Sequence, residues 1–332
     1  MYHGMINVYK EAGYTSHDVV AKLRGICKQK RIGHTGTLDP DAVGVLPVCL
    51  GNGTRLCDML TDKDKEYIAD FCLGITTDTQ DISGTVLEKK DADVSAEDVE
   101  KAAAFFTGEY LQLPPMYSAL KVGGKKLCDL ARAGKEVERT PRPVTVYSLE
   151  FLKKEHPCYT IRVACSKGTY IRTLCHDIGQ RLGCGAVMTK LVRTKAGEFG
   201  IENALTLEKL EEMAKAGTLL EAVIPVEKMF GALPAVSARE AGFKALRNGN
   251  WLRAEDVSAF EEDKAAENAK AAGEADKEKG NAGAAGESRG VPGGEVRMYN
   301  HQGVFYGIYR YEAEREMYVP VKMFLPGDNV CG

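Results

Sequence analysis

Gly33-His34-Thr35-Gly36-Thr37-Leu38-Asp39-Pro40-Asp41-Ala42-Val43-Gly44 is the most densely punctuated stretch of the chain, and it runs directly into the apolar segment Val45 to Leu50. Glycines here permit turns that other residues resist, and Pro40 confines Asp39 to extended backbone. The segment therefore reads as a stiff loop. An aspartate held rigidly between Leu38 and Pro40 can act as nucleophile or as acid/base group, because a fixed carboxylate needs little reorganisation to reach a substrate. The same residues also suit an Asx-turn without chemistry.

Outward from this loop, helical and strand patterns alternate. Ser16 precedes Val19, Val20, Leu23 and Ile26 at helical spacing. Ser95 with Asp98 forms a capping box ahead of Val99, Ala103 and Phe106, and Gly108 supplies a stop. Tyr67, Ala69, Phe71 and Leu73 alternate with Ile68, Asp70 and Cys72, and Ile161, Val163 and Cys165 alternate with Arg162 and Ala164, as half-buried strands do. Thr169 is predicted to open another helix, with Ile171, Leu174, Ile178 and Leu182 on its face and Gly183 ending it. The mixture predicts an α+β domain.

The length of 332 residues predicts two domains. We place a catalytic domain at 1–230, carrying a basic arm at about 116–142, and a smaller β-rich domain at 231–332, interrupted by an insertion at about 256–294. Val296 to Tyr311 is predicted as a hairpin turning at Asn300 to Gly303, followed by a strand from Met317 to Phe324. Within the insertion, residues 261–290 contain nine Ala and five Gly but no aromatic, Leu, Ile or Val. Such a segment buries too little apolar surface to offset its ordering entropy and is expected to be flexible. Gly286-Glu287-Ser288-Arg289-Gly290 matches the nucleophile-elbow pattern but lacks the buried strand and helix that the motif requires.

Net charge is −3, yet the same 30 residues hold 8 acidic and 5 basic groups, which leaves 39 of each sign elsewhere. A polyanionic partner must then be met by local patches. Between Leu120 and Arg142 stand Lys121, Lys125, Lys126, Arg132, Lys135, Arg139 and Arg142 against three acidic residues. Lys28, Lys30 and Arg31 flank the Asp39 loop, and Lys190, Arg193 and Lys195 follow later. Convergence of such patches favours RNA over a small substrate. No stretch approaches the roughly 18 apolar residues of a membrane span. The ten cysteines include no C-x-x-C pair, so neither a disulfide framework nor a zinc ribbon is expected, and a reducing cytoplasm suits them. The six histidines form no paired ligand set, so no metal is expected.

Three further positions invite chemistry. Arg172 follows Ser166-Lys167-Gly168-Thr169-Tyr170, where a helix start and Lys167 can cradle a phosphate. A guanidinium there can pair bidentately with a carboxylate such as Asp39, or simply be solvated. Tyr67 reads first as core packing. Asp78 and Asp81 read as turn residues, because their spacing to Gly84 is not that of a calcium loop.

At these residues the chain resembles the TruB family, the bacterial tRNA pseudouridine-55 synthases. The resemblance rests on Gly33 to Pro40, on Lys65-Glu66-Tyr67 with Leu73-Gly74 and Thr77-Asp78-Thr79, on Gln112 to Lys121, on Ser166 to Arg172, and on Leu191-Val192-Arg193-Thr194. Two positions depart from it: Thr37 stands where alanine is usual, and Val192 where arginine is expected. The resemblance implies the pseudouridine synthase fold, a mixed, largely antiparallel sheet with flanking helices, and a small C-terminal β-rich domain similar to PUA RNA-binding modules. It implies Asp39, Tyr67 and Arg172 as catalytic residues: Asp39 as nucleophile, Tyr67 stacked on the target uracil and available as a base, Arg172 paired with Asp39. It places His34, Tyr170, Leu191, Lys167 and Lys121 at the substrate. The partner implied is tRNA, through its T-loop and T-stem, with no cofactor and no obligate protein partner. A non-catalytic RNA-binding module and a guide-RNA-dependent relative are the alternatives.

Overall fold

The computed structural model describes residues 1–260 and 294–325. The insertion at 261–290 and its Gly286 to Gly290 pattern lie outside the described residues. The chain divides into two compact units. One consists of Ile6–Cys49 and Leu56–Ala222 with Met1; the other combines Tyr2–Met5, Leu50–Arg55 and Val223 onward.

Seven strands form the principal path of the first sheet: β1 (Gly4–Lys10), β2 (Val43–Leu50), β3 (Lys65–Leu73), β4 (Gly108–Gln112), β5 (Arg142–Glu155), β6 (Cys158–Cys165) and β7 (Ala186–Ala196). Their spatial order is β1-β2-β7-β3-β6-β5-β4, with Ile32–His34 added to β2 and Phe199–Gly200 to β7. The pairs β7/β3, β3/β6, β6/β5 and β5/β4 are antiparallel, while β2/β7 is parallel, so the sheet is mixed and largely antiparallel. The alternation seen in the sequence decides which face is buried. In β3, Lys65, Tyr67, Ala69, Phe71 and Leu73 are buried, and in β6 Tyr159, Ile161, Val163 and Cys165.

Helices α1 (Ser16–Ile26), α2 (Ala96–Ala104) and α3 (Ile171–Leu182) flank the sheet. Val99, Ala102 and Ala103 of α2 and Ile171, Leu174, Cys175 and Ile178 of α3 share one core with β3 and β6. Each large apolar side chain buried there contributes about 1.5–3 kcal/mol. The Ser95/Asp98 capping box closes the start of α2 as expected. A second box, Thr15 with Asp18, starts α1. Helix α3 begins at Ile171 and not at Thr169, because the Thr169 hydroxyl donates back to the Ser166 carbonyl and Tyr170 is extended.

The second unit carries a six-stranded sheet in the order Leu252–Arg253, Met317–Met323, Phe305–Glu312, Glu295–Tyr299, Ala235–Ala238, Val257–Ala259. The expected hairpin is present, and the Asn300 carboxamide oxygen fixes its turn by accepting from the N–H groups of Gln302 and Val304.

One expectation is corrected. Cys72 and Cys158 lie directly opposite each other at the ends of β3 and β6 and form a disulfide. The strand register that brings them together spans 86 residues and is invisible in local spacing. Among the described residues no helix is long and apolar enough to cross a membrane.

Candidate active site

Asp39 sits on a loop anchored from three directions. The Leu38 N–H donates to the Ser16 hydroxyl at 2.9 Å, and the Thr35 N–H and hydroxyl both donate to the Pro47 carbonyl. Lys10, fully buried at the end of β1, donates to the carbonyls of Pro40 at 2.8 Å and Ala42 at 2.6 Å. Burial pushes the Lys10 ammonium down to about 8, partly offset by Asp39 and Asp41. Gly44 completes the anchoring. Its φ is +107° and a Cβ would stand 2.2 Å from the Arg193 carbonyl, so only glycine lets β2 close on β7.

Arg172, in the first turn of α3 and 6% exposed, meets Asp39 along two edges: Nε lies 3.0 Å from Oδ2 and Nη2 3.3 Å from Oδ1. This is the bidentate fork that a carboxylate favours. The rest of the guanidinium is also engaged. Nη1 donates to Asp81 Oδ2 at 3.2 Å and to the Thr79 carbonyl at 3.1 Å, and Nη2 donates to the Tyr117 carbonyl at 2.9 Å. One cation thus faces two carboxylates. Asp39 remains the most open member of the network, its side chain 39% exposed against 17% for Asp81. Burial raises the Asp39 carboxyl above its ordinary value, with Arg172 opposing and Asp81 reinforcing the rise.

Tyr67 and Leu191 are buried in the same core as Leu38. Arg193, two residues beyond Leu191, stands opposite Tyr67 across β3/β7. Burial raises the Tyr67 phenol, while the charge of Arg193 and a hydrogen bond from it act in the other direction. His34 is half-buried, its ring edge-on to His17 at 5.2 Å, and its Nδ1 accepts from the Gly36 N–H. Burial lowers its basicity, helped by His17, which leaves a neutral imidazole near pH 7. Tyr170 precedes α3, with its N–H donating to Gln112 Oε1 and its carbonyl accepting from Gln112 Nε2.

The two remaining predicted residues lie on the surface. Lys167 pairs with Asp62 at 2.8 Å, both exposed, rather than with any member of the Asp39 network. The N–H groups around it are taken as well, Ser166 by the Thr145 carbonyl and Tyr170 by Gln112. Lys121 belongs to a small hairpin of Lys121–Val122 and Lys125–Lys126, turned by Gly123 and Gly124 and followed by the helix Leu127–Arg132. Lys121, Lys125, Lys126 and Lys135 surround a depression of about 420 Å³ that also includes Asp129.

Three functional residues escaped the sequence reading. Asp81 reads from sequence as a turn residue, which it also is, since its Oδ1 accepts from the Ser83 N–H. Its other oxygen braces Arg172. Lys10 resembles any strand-end lysine, and only the hydrophobic run before it hints at burial. Arg193 was grouped with a positive patch, yet it is 1% exposed.

Comparison with known proteins places this geometry in context. The family model described as TruB family pseudouridylate synthase (N terminal domain) matches residues 24–171, and that of the tRNA pseudouridylate synthase B C-terminal domain matches residues 172–231. The chain is 47% identical to the tRNA pseudouridine synthase B of Lachnoclostridium phytofermentans over 331 residues, covering 97% of this chain and all of the relative. It is 44% identical to the protein of that name from Clostridium tetani, over 79% of this chain and 93% of the relative. Among solved structures, a chain of a Cbf5-Nop10-Gar1 complex is similar at a TM-score of 0.65 and 27% identity, over 98% of this chain and 85% of that one. A chain of an H/ACA RNP bound to a substrate RNA containing 2'-deoxyuridine follows at 0.64 and 26%, over 98% and 86%.

Proposed function

The chain belongs to the TruB family of pseudouridylate synthases, and on that premise we propose that it isomerises uridine 55 in the tRNA T-loop to pseudouridine, with Asp39 as the nucleophile. The observation that carries this reading is the bidentate Arg172–Asp39 pair on an anchored loop that shares its core with Tyr67 and Leu191.

The reaction exchanges the N1–C1′ bond for a C5–C1′ bond with no redox change, so a carboxylate suffices and no cofactor enters. The target uridine first leaves the base stack, at a cost of a few kcal/mol, and needs an aromatic surface to receive it. Tyr67 supplies that surface. The Asp39 carboxylate attacks C1′, and N1 departs with the bonding pair as the uracil anion. The ring turns, C5 attacks C1′ and displaces Asp39. C5 then gives up its proton, and N1 takes one. Arg172 orients Asp39 throughout, His34 helps to hold the opened RNA loop, and Tyr170 and Leu191 border the base. Lys121 and its neighbours contact phosphates, which positions RNA without reading sequence. Lys167, exchanging Asp62 for a phosphate, adds one contact of the same kind. The β-rich second unit acts as a PUA-like RNA-binding domain, and the protein works in the cytoplasm.

Tritium release from a tRNA transcript labelled at uridine C5 tests the assignment: wild type releases label from bare tRNA, and Asp39→Asn does not. Equal release by both overturns it. The whole-length identity of 47% to a tRNA pseudouridine synthase B, against 26–27% to the chains from RNP assemblies, favours action on tRNA alone. Binding without release would instead mark a non-catalytic RNA module.

A further inference from the structure

Arg193 is almost completely buried, and among the described residues it forms no ion pair. A guanidinium does not shed its charge, so an unpaired one in a protein interior is costly. Local bonding offsets only part of this: Nε donates to the Val45 carbonyl at 2.7 Å and the guanidinium bonds the Tyr67 hydroxyl, but Nη2 is buried with no hydrogen-bond partner. Buried groups left unsatisfied in this way concentrate where function requires them. The surrounding charges add to the cost, because Lys10 and Lys65 both sense Arg193 as a like charge.

Register explains the placement. Arg193 stands opposite Gly44 across the parallel β2/β7 pair and opposite Tyr67 across the antiparallel β3/β7 pair. One residue thus ties the end of the Asp39 loop to the strand that carries Tyr67. The Tyr67 hydroxyl senses Arg193 from β7, Cys165 from β6 and Asp39 from the loop, and Lys65 shares its buried face of β3 two residues away. Cys165 is a neutral thiol, pushed up to about 12 by burial. Arg193 is therefore the cation whose charge the Tyr67 hydroxyl senses most strongly.

We propose that Arg193 is a positioning residue for the isomerisation: its buried guanidinium holds the Tyr67 oxygen as an acceptor, so that Tyr67 can serve as the base that the family resemblance implies and take the proton from uracil C5. This rests on the function proposed above. The step balances. Tyr67 has first released its own proton to solvent; the phenolate oxygen then takes the C5 proton after the C5–C1′ bond has formed. The C5–H electron pair becomes the C5=C6 bond, the N1=C6 pair moves to N1, and N1 takes a proton from solvent.

The test compares Arg193→Gln, which removes the charge but retains a donor for the Val45 carbonyl, with Arg193→Lys, which keeps the charge. Single-turnover tritium release is followed across the neutral and alkaline range. R193Q should slow release by about tenfold or more with KM little changed, and its rate should recover as pH rises. R193K should restore most of the rate with the wild-type pH profile. With a tRNA containing 5-fluorouridine, C5 has no proton to lose, so R193Q and wild type should form the C5–C1′ bond equally fast. Equal slowing on both substrates, an unmoved alkaline limb, or no rescue by lysine overturns the proposal. Should R193Q not fold, Tyr67 replaced by the more acidic 3-fluorotyrosine in the otherwise wild-type protein decides: the limb moves to lower pH, and a static limb refutes the role. Failure of the underlying function is separable, since Asp39→Asn would then release label like wild type whatever Arg193 does.

Discussion

Nη1 of Arg172 lies 3.2 Å from Oδ2 of Asp81, so the guanidinium that grips Asp39 is itself gripped from its far side. Two carboxylates on one cation leave Asp39 held in place but not fully neutralised, which suits the oriented nucleophile proposed above.

Asp81→Asn keeps the shape of this contact and removes its charge. The side chain is largely buried, so the change should cost about 1–3 kcal/mol in urea unfolding. Single-turnover tritium release should slow by about tenfold, as Arg172 gains freedom to swing. An unchanged rate would show that Arg172 keeps its aim without the Asp81 charge.

Asp39→Asn should abolish activity, by about a thousandfold or more, without lowering Tm. Arg172 keeps Asp81 and the carbonyls of Thr79 and Tyr117 in the variant. The sign of the pH effect follows from burial, which raises the Asp39 carboxyl above its unfolded value. Between those two values the folded protein binds more protons, so this group's contribution to stability is full below the unfolded value and is lost as pH rises through the folded one. Activity should run the opposite way, because the proposed mechanism needs the carboxylate. Thermal melts over the acidic range should show that slope in wild type and not in D39N.

Lys10→Met removes the donors that hold the carbonyls of Pro40 and Ala42. The expected result is a fall in kcat larger than the rise in KM, because the loop loses its aim more than the protein loses its RNA surface. Stability offers a separate readout. Lys10 titrates near 8 when folded, below its ordinary 10.5, so the unfolded chain binds more protons between these values. Wild-type stability should therefore gain a rising contribution across that window, and denaturant titrations of K10M should lack it.

Replacing Lys121, Lys125, Lys126 and Lys135 together by Gln removes the four ammonium groups around the hairpin depression. Binding of tRNA should weaken at low salt. The slope of log K against log salt should flatten by about 0.7–0.9 for each lysine that meets a phosphate. Filter binding across a salt series measures it, and an unchanged slope would make the arm an ordinary solvated hairpin.

Much of the scaffold could be read before any coordinates, for reasons visible in particular residues. The Ser95/Asp98 box and the alternation from Tyr67 to Leu73 are local patterns whose physics closes within one element. The start of α3 was misplaced by two residues because the Thr169 hydroxyl turns back on Ser166 instead of capping. The Asp39–Arg172 pair spans 133 residues and came from family resemblance, not from spacing. Asp81, Lys10, Arg193 and the Cys72–Cys158 bond stayed hidden because each depends on strand register or on burial.

The parallel pairing of β2 with β7 bears on how the protein matures. It sets Gly44 beside Arg193 and lets that arginine reach Val45 across 148 residues of chain. Hairpins and helices close early because their partners are near, whereas so distant a pairing must wait for the intervening chain to collapse. The reactive centre thus depends on a long-range closure and should form after the hairpins and helices. A partly folded chain rich in native helices is still chemically inert, and the return of enzymatic competence during refolding is a stopwatch for this one closure.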